Sequence, residues 1–145
     1  MKAPVTPSRE RRLTVVERAR LSAEIIRLYA RARWRLRRSD LPAVLAELRR
    51  PAAEPGVSKR GVDELFAGRA LGAITIRVLA ALPADGRCLV RSLVLTGLLS
   101  RRGIRTKLVL AVHPGERLAA HAWVEHDGTP LIEPGRPPLE RLAEL

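Results

Sequence analysis

The chain has no asparagine and no glutamine in its 145 residues. Their absence excludes a Cys-His-Asn site and a glutamine side chain in an oxyanion hole, two devices of some thiol hydrolases. A single cysteine, Cys88, excludes an internal disulfide and fits a reducing compartment. Lysine is nearly missing as well: only Lys2, Lys59 and Lys107 interrupt a basic set of 27 that is otherwise all arginine. No apolar signal core follows Met1-Lys2-Ala3-Pro4. The longest apolar runs, near Leu71–Leu82 and Leu93–Leu99, are too short to span a bilayer, and Arg77 breaks the first. A soluble, cytoplasmic protein without a membrane span is expected. Internal repeats, a Gly-rich phosphate loop and a G-x-S-x-G elbow are also absent.

What is present is apolar enough, at 46%, to build a core. The length suits one domain, or a compact domain with a helical extension. The net charge is +12, from 27 basic against 15 acidic residues. Such a balance admits nucleic acid, a membrane surface or an acidic protein as partner. An Arg- and Ala-rich composition set by coding bias would give the same charge.

Residues 1–12 read as a loose tail with Pro4, Pro7 and Arg9-Glu10-Arg11-Arg12. Thr14-Val15-Val16-Glu17 matches a capping box and predicts a helix to about Arg38. Leu21, Ile25, Leu28, Ala32 and Leu36 recur at helical spacing on one face. Arg18, Arg20, Arg27, Arg31 and Arg35 occupy the other, as a solvated face or a binding face. Ser39 or Asp40 caps a second helix to about Arg49, with Pro42 in its first turn. Residues 51–60 form a connector, the best internal boundary. It divides a basic helical region, 1–60, from a core region, 61–145. A third helix runs from about Val62 to Leu82, with Gly68 and Gly72 marking close packing and Pro83 as its stop. A fourth runs from Asp85 to about Arg102, ending at Gly103. Strands are expected over Thr106–Val112, Leu118–His126 and Thr129–Glu133, the last short and at an edge because prolines follow. Leu139–Leu145 would add a helical turn. Helices first and a hairpin-based sheet last give an α+β class, with a Cys-bearing helix packed on a small antiparallel sheet.

Cys88 stands in the first turn of the fourth helix, at N3 if Asp85 caps it. Free backbone N–H groups and the positive dipole end stabilise a thiolate there, and Arg87 and Arg91 add charge. The Cys88 N–H is free to donate to an oxyanion. Equally, Cys88 could be a small buried hydrophobe. His121 lies on a strand in alternation with Trp123, and is a base or a structural histidine. The hairpin turn decides a third member. A three-residue loop His126-Asp127-Gly128 pairs Glu125 with Thr129, Trp123 with Leu131 and His121 with Glu133. A two-residue Asp127-Gly128 turn sets His121 against Pro134 and Glu133 on the other face. Asp127 is the turn residue its dipeptide suggests, Glu125 a structural carboxylate, and His113 and His126 exposed loop histidines. Ser92, one turn beyond Cys88, has no elbow around it. Cys88, His113, His121 and His126 contain no tight ligand pair, so no metal is expected.

Arg87-Cys88-Leu89-Val90-Arg91-Ser92-Leu93-Val94-Leu95, Leu98-Leu99-Ser100-Arg101-Arg102-Gly103, Leu108-Val109-Leu110-Ala111-Val112 and Ala120-His121-Ala122-Trp123-Val124-Glu125 closely resemble the leader peptidases of lasso-peptide biosynthesis. Those belong to the transglutaminase-like cysteine protease superfamily. The likeness spans about residues 85–133, and the N-terminal helices match in general character only. It implies a transglutaminase/papain-like core and a Cys-His-Asp triad that cuts between leader and core of a ribosomally made precursor, without a cofactor. Cys88 and His121 match the nucleophile and base. Glu133, twelve residues after the histidine, stands where the family's Asp is expected. The length implies the split form, which works with a separate leader-recognition protein, and the ATP-dependent lasso cyclase is a further partner. The basic helices would then dock the recognition protein and leader, with no nucleic acid involved. A nucleic-acid-binding helical protein and a transglutaminase-like acyl transferase are the alternatives.

Overall fold

The computed structural model describes residues 13–50, 62–82, 87–114, 119–135 and 137–145. Four helices come first: α1 (Val15–Leu36), α2 (Leu41–Leu48), α3 (Val62–Ala80) and α4 (Arg87–Ser100). The strands β1 (Lys107–His113), β2 (Ala119–His126), β3 (Thr129–Pro130) and β4 (Glu140–Glu144) then form one antiparallel sheet in the order β3-β2-β1-β4. This is the α+β arrangement expected. The tail 1–12, the connector 51–60, Pro83 and the Asp85 cap lie outside the described residues.

Local chemistry sets the helix ends. Glu17 N–H donates to Thr14 Oγ1 at 3.2 Å, and Thr14 N–H donates to Glu17 Oε2 at 2.8 Å, closing the capping box of α1. Asp40 caps α2 through Ala43 N–H at 3.0 Å, with Pro42 in the first turn where its missing N–H costs nothing. At the end of α4, Gly103 takes φ 74° and Ile104 N–H reaches back to Leu99 O at 3.0 Å, a Schellman closure.

One hydrophobic core joins all four helices to the sheet. Leu21, Ile25, Leu28 and Ala32 of α1 are buried against Val44, Leu45 and Leu48 of α2 and the apolar face of α4. Burial of each large side chain contributes about 1.5–3 kcal/mol, and truncating Leu28 to alanine would cost about 2–5 kcal/mol. Two of the arginines opposite that face are not merely solvated. Arg31 Nε (2.7 Å) and Arg35 Nε (2.7 Å) both bind Glu47 of α2. The glycines of α3 do mark close packing. A Cβ at Gly68 would sit 2.9 Å from Leu131 Cδ1, and one at Gly72 would sit 3.1 Å from Leu131 O.

The C-terminal segment differs from expectation. Instead of a helical turn, Glu140–Glu144 forms β4 along β1, and Leu108 and Leu145 exchange both backbone hydrogen bonds. The open edge of β1 supplies backbone partners that an isolated seven-residue tail lacks, and a helix that short is marginal alone.

Candidate active site

The hairpin after β2 is a two-residue turn. Asp127 has φ 47° and Gly128 has φ 77°, as a type I′ turn requires. His126 pairs with Thr129 and Glu125 with Pro130, and Leu131 N–H continues the register to Val124 O at 2.8 Å. The three-residue loop is therefore not formed. The pairing of His121 with Glu133 that depended on it is lost: this register sets position 121 against 134 and Glu133 on the other face, and β3 itself ends at Pro130.

The same register buries His126, expected in an exposed loop. As the last ladder residue it shares the face of Ala122 and Val124, is 6% exposed, and its Nδ1 lies 2.8 Å from Arg105 O. A carbonyl only accepts, so Nδ1 donates there. Its Nε2 lies 3.4 Å from Glu64 Oε2 at the start of α3.

Residues 120, 122 and 124 of β2 point their carbonyls at the β3 edge, and each finds a different kind of donor. Val124 O takes Leu131 N–H from the hairpin. Ala122 O takes Ser92 Oγ of α4 at 3.1 Å. Ala120 O faces Cys88 Sγ at 3.9 Å, a weak S–H contact. Where β3 stops, the first turns of α4 thus border the strand. Ser92 is fully buried and committed to this bond, which gives it a structural role. Cys88 is partly exposed and lies beside the residue that precedes His121.

Alternation assigns His121 to the face of Trp123 and Glu125, opposite the Ala122 and Val124 face that packs on α4. Thiol and imidazole therefore flank the same length of sheet edge, from its two sides. The half-buried imidazole meets Gly135, at which a Cβ would lie 3.3 Å from Nδ1. The segment 131–135 thus runs from the α3 glycines, where Leu131 and Ile132 seat, to the histidine. Glu133 lies on it, exposed, and makes no hydrogen bond or ion pair among the described residues.

Glu125 is 3% exposed and saturated. It accepts from Trp123 Nε1 at 2.8 Å and from Arg141 Nη2 at 2.9 Å, while the Arg141 guanidinium lies 5.6 Å from the Trp123 ring centroid. That is the structural carboxylate expected, and it fastens β4 beside His121's face. Asp127 is exposed in its turn. Sequence reasoning missed Gly135 and Arg141. The Pro134-Gly135 dipeptide was a signal for the first; nothing local marks the second.

α4 opens at Arg87, so Cys88 is its second residue and its N–H is among the four without an intrahelical partner. Among the described residues no group of His, Cys, Asp and Glu could hold a metal ion, and no helix is long and apolar enough to cross a membrane. A family model described as "Transglutaminase-like superfamily" matches residues 19–145. No curated protein and no solved structure matches the chain.

Proposed function

Because the chain belongs to the transglutaminase-like superfamily, whose members are generally cysteine-dependent enzymes, we propose that it is a cysteine endopeptidase built on Cys88. The observation that carries this is the seat of the lone thiol: partly exposed, in the first turn of α4, 3.9 Å from the carbonyl of the residue before His121. A buried structural cysteine would need neither the exposure nor the free backbone N–H groups of a helix start.

In the proposed reaction the Cys88 sulfur attacks the scissile carbonyl carbon, and the Cys88 N–H donates to the oxygen as it gains charge. His121 takes the thiol proton and passes it to the departing amine, forming an acyl-enzyme that water then cleaves. The resemblance offers Glu133 for the carboxylate that orients His121. It lies two residues before the glycine that touches the imidazole and would have to turn toward the ring, since the two make no hydrogen bond or ion pair as they stand. The substrate is the leader region of a ribosomally made lasso-peptide precursor, delivered with a separate leader-recognition protein. The resemblance of residues 85–133 supports this finer reading.

Incubation of the protein with a lasso-peptide precursor and its recognition protein, read by mass spectrometry, tests it. Leader release with one added water, lost in Cys88→Ala, is the expected result. Release by Cys88→Ala at the wild-type rate, or an added amine in place of water, would overturn it.

A further inference from the structure

The segment of α4 from Ser92 to Leu99 is wholly buried, and one charged residue sits at its brink. Arg91 is half-buried, and its Nε is buried without a hydrogen-bond partner. The arginines that form ion pairs do so with Glu24, Glu47, Glu125 and Glu144; among the described residues no acid pairs with Arg91. A guanidinium is permanently charged, and an unbonded N–H on it, out of water, lowers stability. Packing alone would favour an aliphatic side chain here.

The place of Arg91 on the helix suggests a use. At 3.6 residues per turn, Ser92 lies about 40° to one side of Cys88 and Arg91 about 60° to the other. Residues three apart are neighbours on a helix surface, and side chains lean toward the N-terminus. Arg91 therefore covers the turn that carries the thiol. On the opposite flank, Ser92 is spent on Ala122 O. Among the side chains described in this turn, Arg91 is a cation with donors still to give.

We propose that Arg91 receives a carboxylate of the substrate, an aspartate or glutamate side chain beside the scissile bond, and so sets substrate preference at Cys88. This rests on Cys88 being the nucleophile. A guanidinium fork binds a carboxylate through two parallel N–H···O bonds, which lysine cannot copy. The terminal carboxylate of a peptide has the same chemistry, but an internal cut in a precursor selects a side chain.

Because Cys88 is the chain's one cysteine, alkylation followed by mass spectrometry reports on this thiol alone. Iodoacetate and iodoacetamide react identically: sulfur bonds to the methylene carbon and iodide leaves. They differ in a carboxylate against an amide. The rate ratio of iodoacetate to iodoacetamide should fall about tenfold in Arg91→Gln, with an intermediate value in Arg91→Lys. Loss of the Arg91 charge lowers the thiolate fraction and slows both reagents alike, so this effect cancels in the ratio, and the urea midpoint checks folding. An unchanged ratio in Arg91→Gln, or a collapse in Arg87→Gln instead, overturns the proposal. In a second arm, C-terminally amidated peptides carry Glu or Gln at each position beside the cut. Wild type should show a lower KM for Glu at one position, and Arg91→Gln should not. Cleavage with no Glu preference at any position sinks the carboxylate receptor and spares the peptidase. An Arg91-dependent alkylation ratio with no peptide cleaved does the reverse.

Discussion

The imidazole of His121 rests on Gly135, with Nδ1 3.3 Å from where a Cβ would project. Gly135 also has φ 102°, a backbone conformation that a residue with a Cβ rarely adopts. Gly135→Ala should therefore lose about 1–2 kcal/mol of stability and displace the imidazole. Urea unfolding reads the first effect and kcat/KM for peptide cleavage the second. Wild-type kcat/KM in a destabilised Gly135→Ala protein would detach this contact from catalysis.

Ser92 and Cys88 face successive carbonyls of one strand yet should answer differently to truncation. Ser92→Ala leaves the Ala122 carbonyl without its donor, in a fully buried setting, and should cost about 1–3 kcal/mol. Cys88→Ala removes a weak contact at 3.9 Å and one sulfur at the rim of the core, and should cost less than Ser92→Ala while ending peptide hydrolysis. The comparison is made by chemical denaturation of both variants. A larger loss for Cys88→Ala would mark the thiol as a packing residue.

Glu133 is exposed and makes no hydrogen bond or ion pair among the described residues, so Glu133→Gln should leave the unfolding midpoint in place and remove most activity. Asp127→Asn, at a turn position that asparagine also tolerates, should retain most of it. The two rates, measured on the same precursor, rank the carboxylates. The reverse order would transfer the orienting role to Asp127.

Glu47 supplies the pH dependence. Hydrogen bonding from Arg31, reinforced by the charges of Arg31 and Arg35, holds its carboxyl below the usual carboxylate range against an opposing effect of burial. A carboxylate with a depressed folded-state value adds stability above its unfolded value, about pH 4.3, and loses it as pH falls through the folded one. The α1–α2 clasp should hold at neutral pH and weaken below about pH 4. Thermal melts between neutral and acid pH should show Glu47→Gln less stable than wild type at neutrality, with the gap closing in acid. A constant gap would mean that the ion pair contributes nothing to the difference.

The helices were legible because their signals are local. The Thr14 box, the Asp40 cap, the 3.6-residue spacing of Leu21, Ile25 and Leu28, and the Gly103 stop each act within a turn or two of chain. Cys88 at a helix start followed by His121 on a strand was legible for the same reason. The hairpin was half legible: Asp127-Gly128 marked the turn, but loop length decided the partners. Type I′ geometry moved every pairing by one residue and turned His126 inward against Arg105.

The order and type of the helices, the α+β class, the turn at Asp127-Gly128 and the uniqueness of the Cys88 thiol were determined by the sequence itself, through contacts between near neighbours. Only tertiary structure decided that the tail becomes β4, that Glu125 is spent on Trp123 and Arg141, and that Gly135 meets His121. Each of these joins residues whose partners are chosen by sheet register and edge pairing. A two-residue period makes that register flip whole faces with a shift of one residue, and no local pattern specifies it.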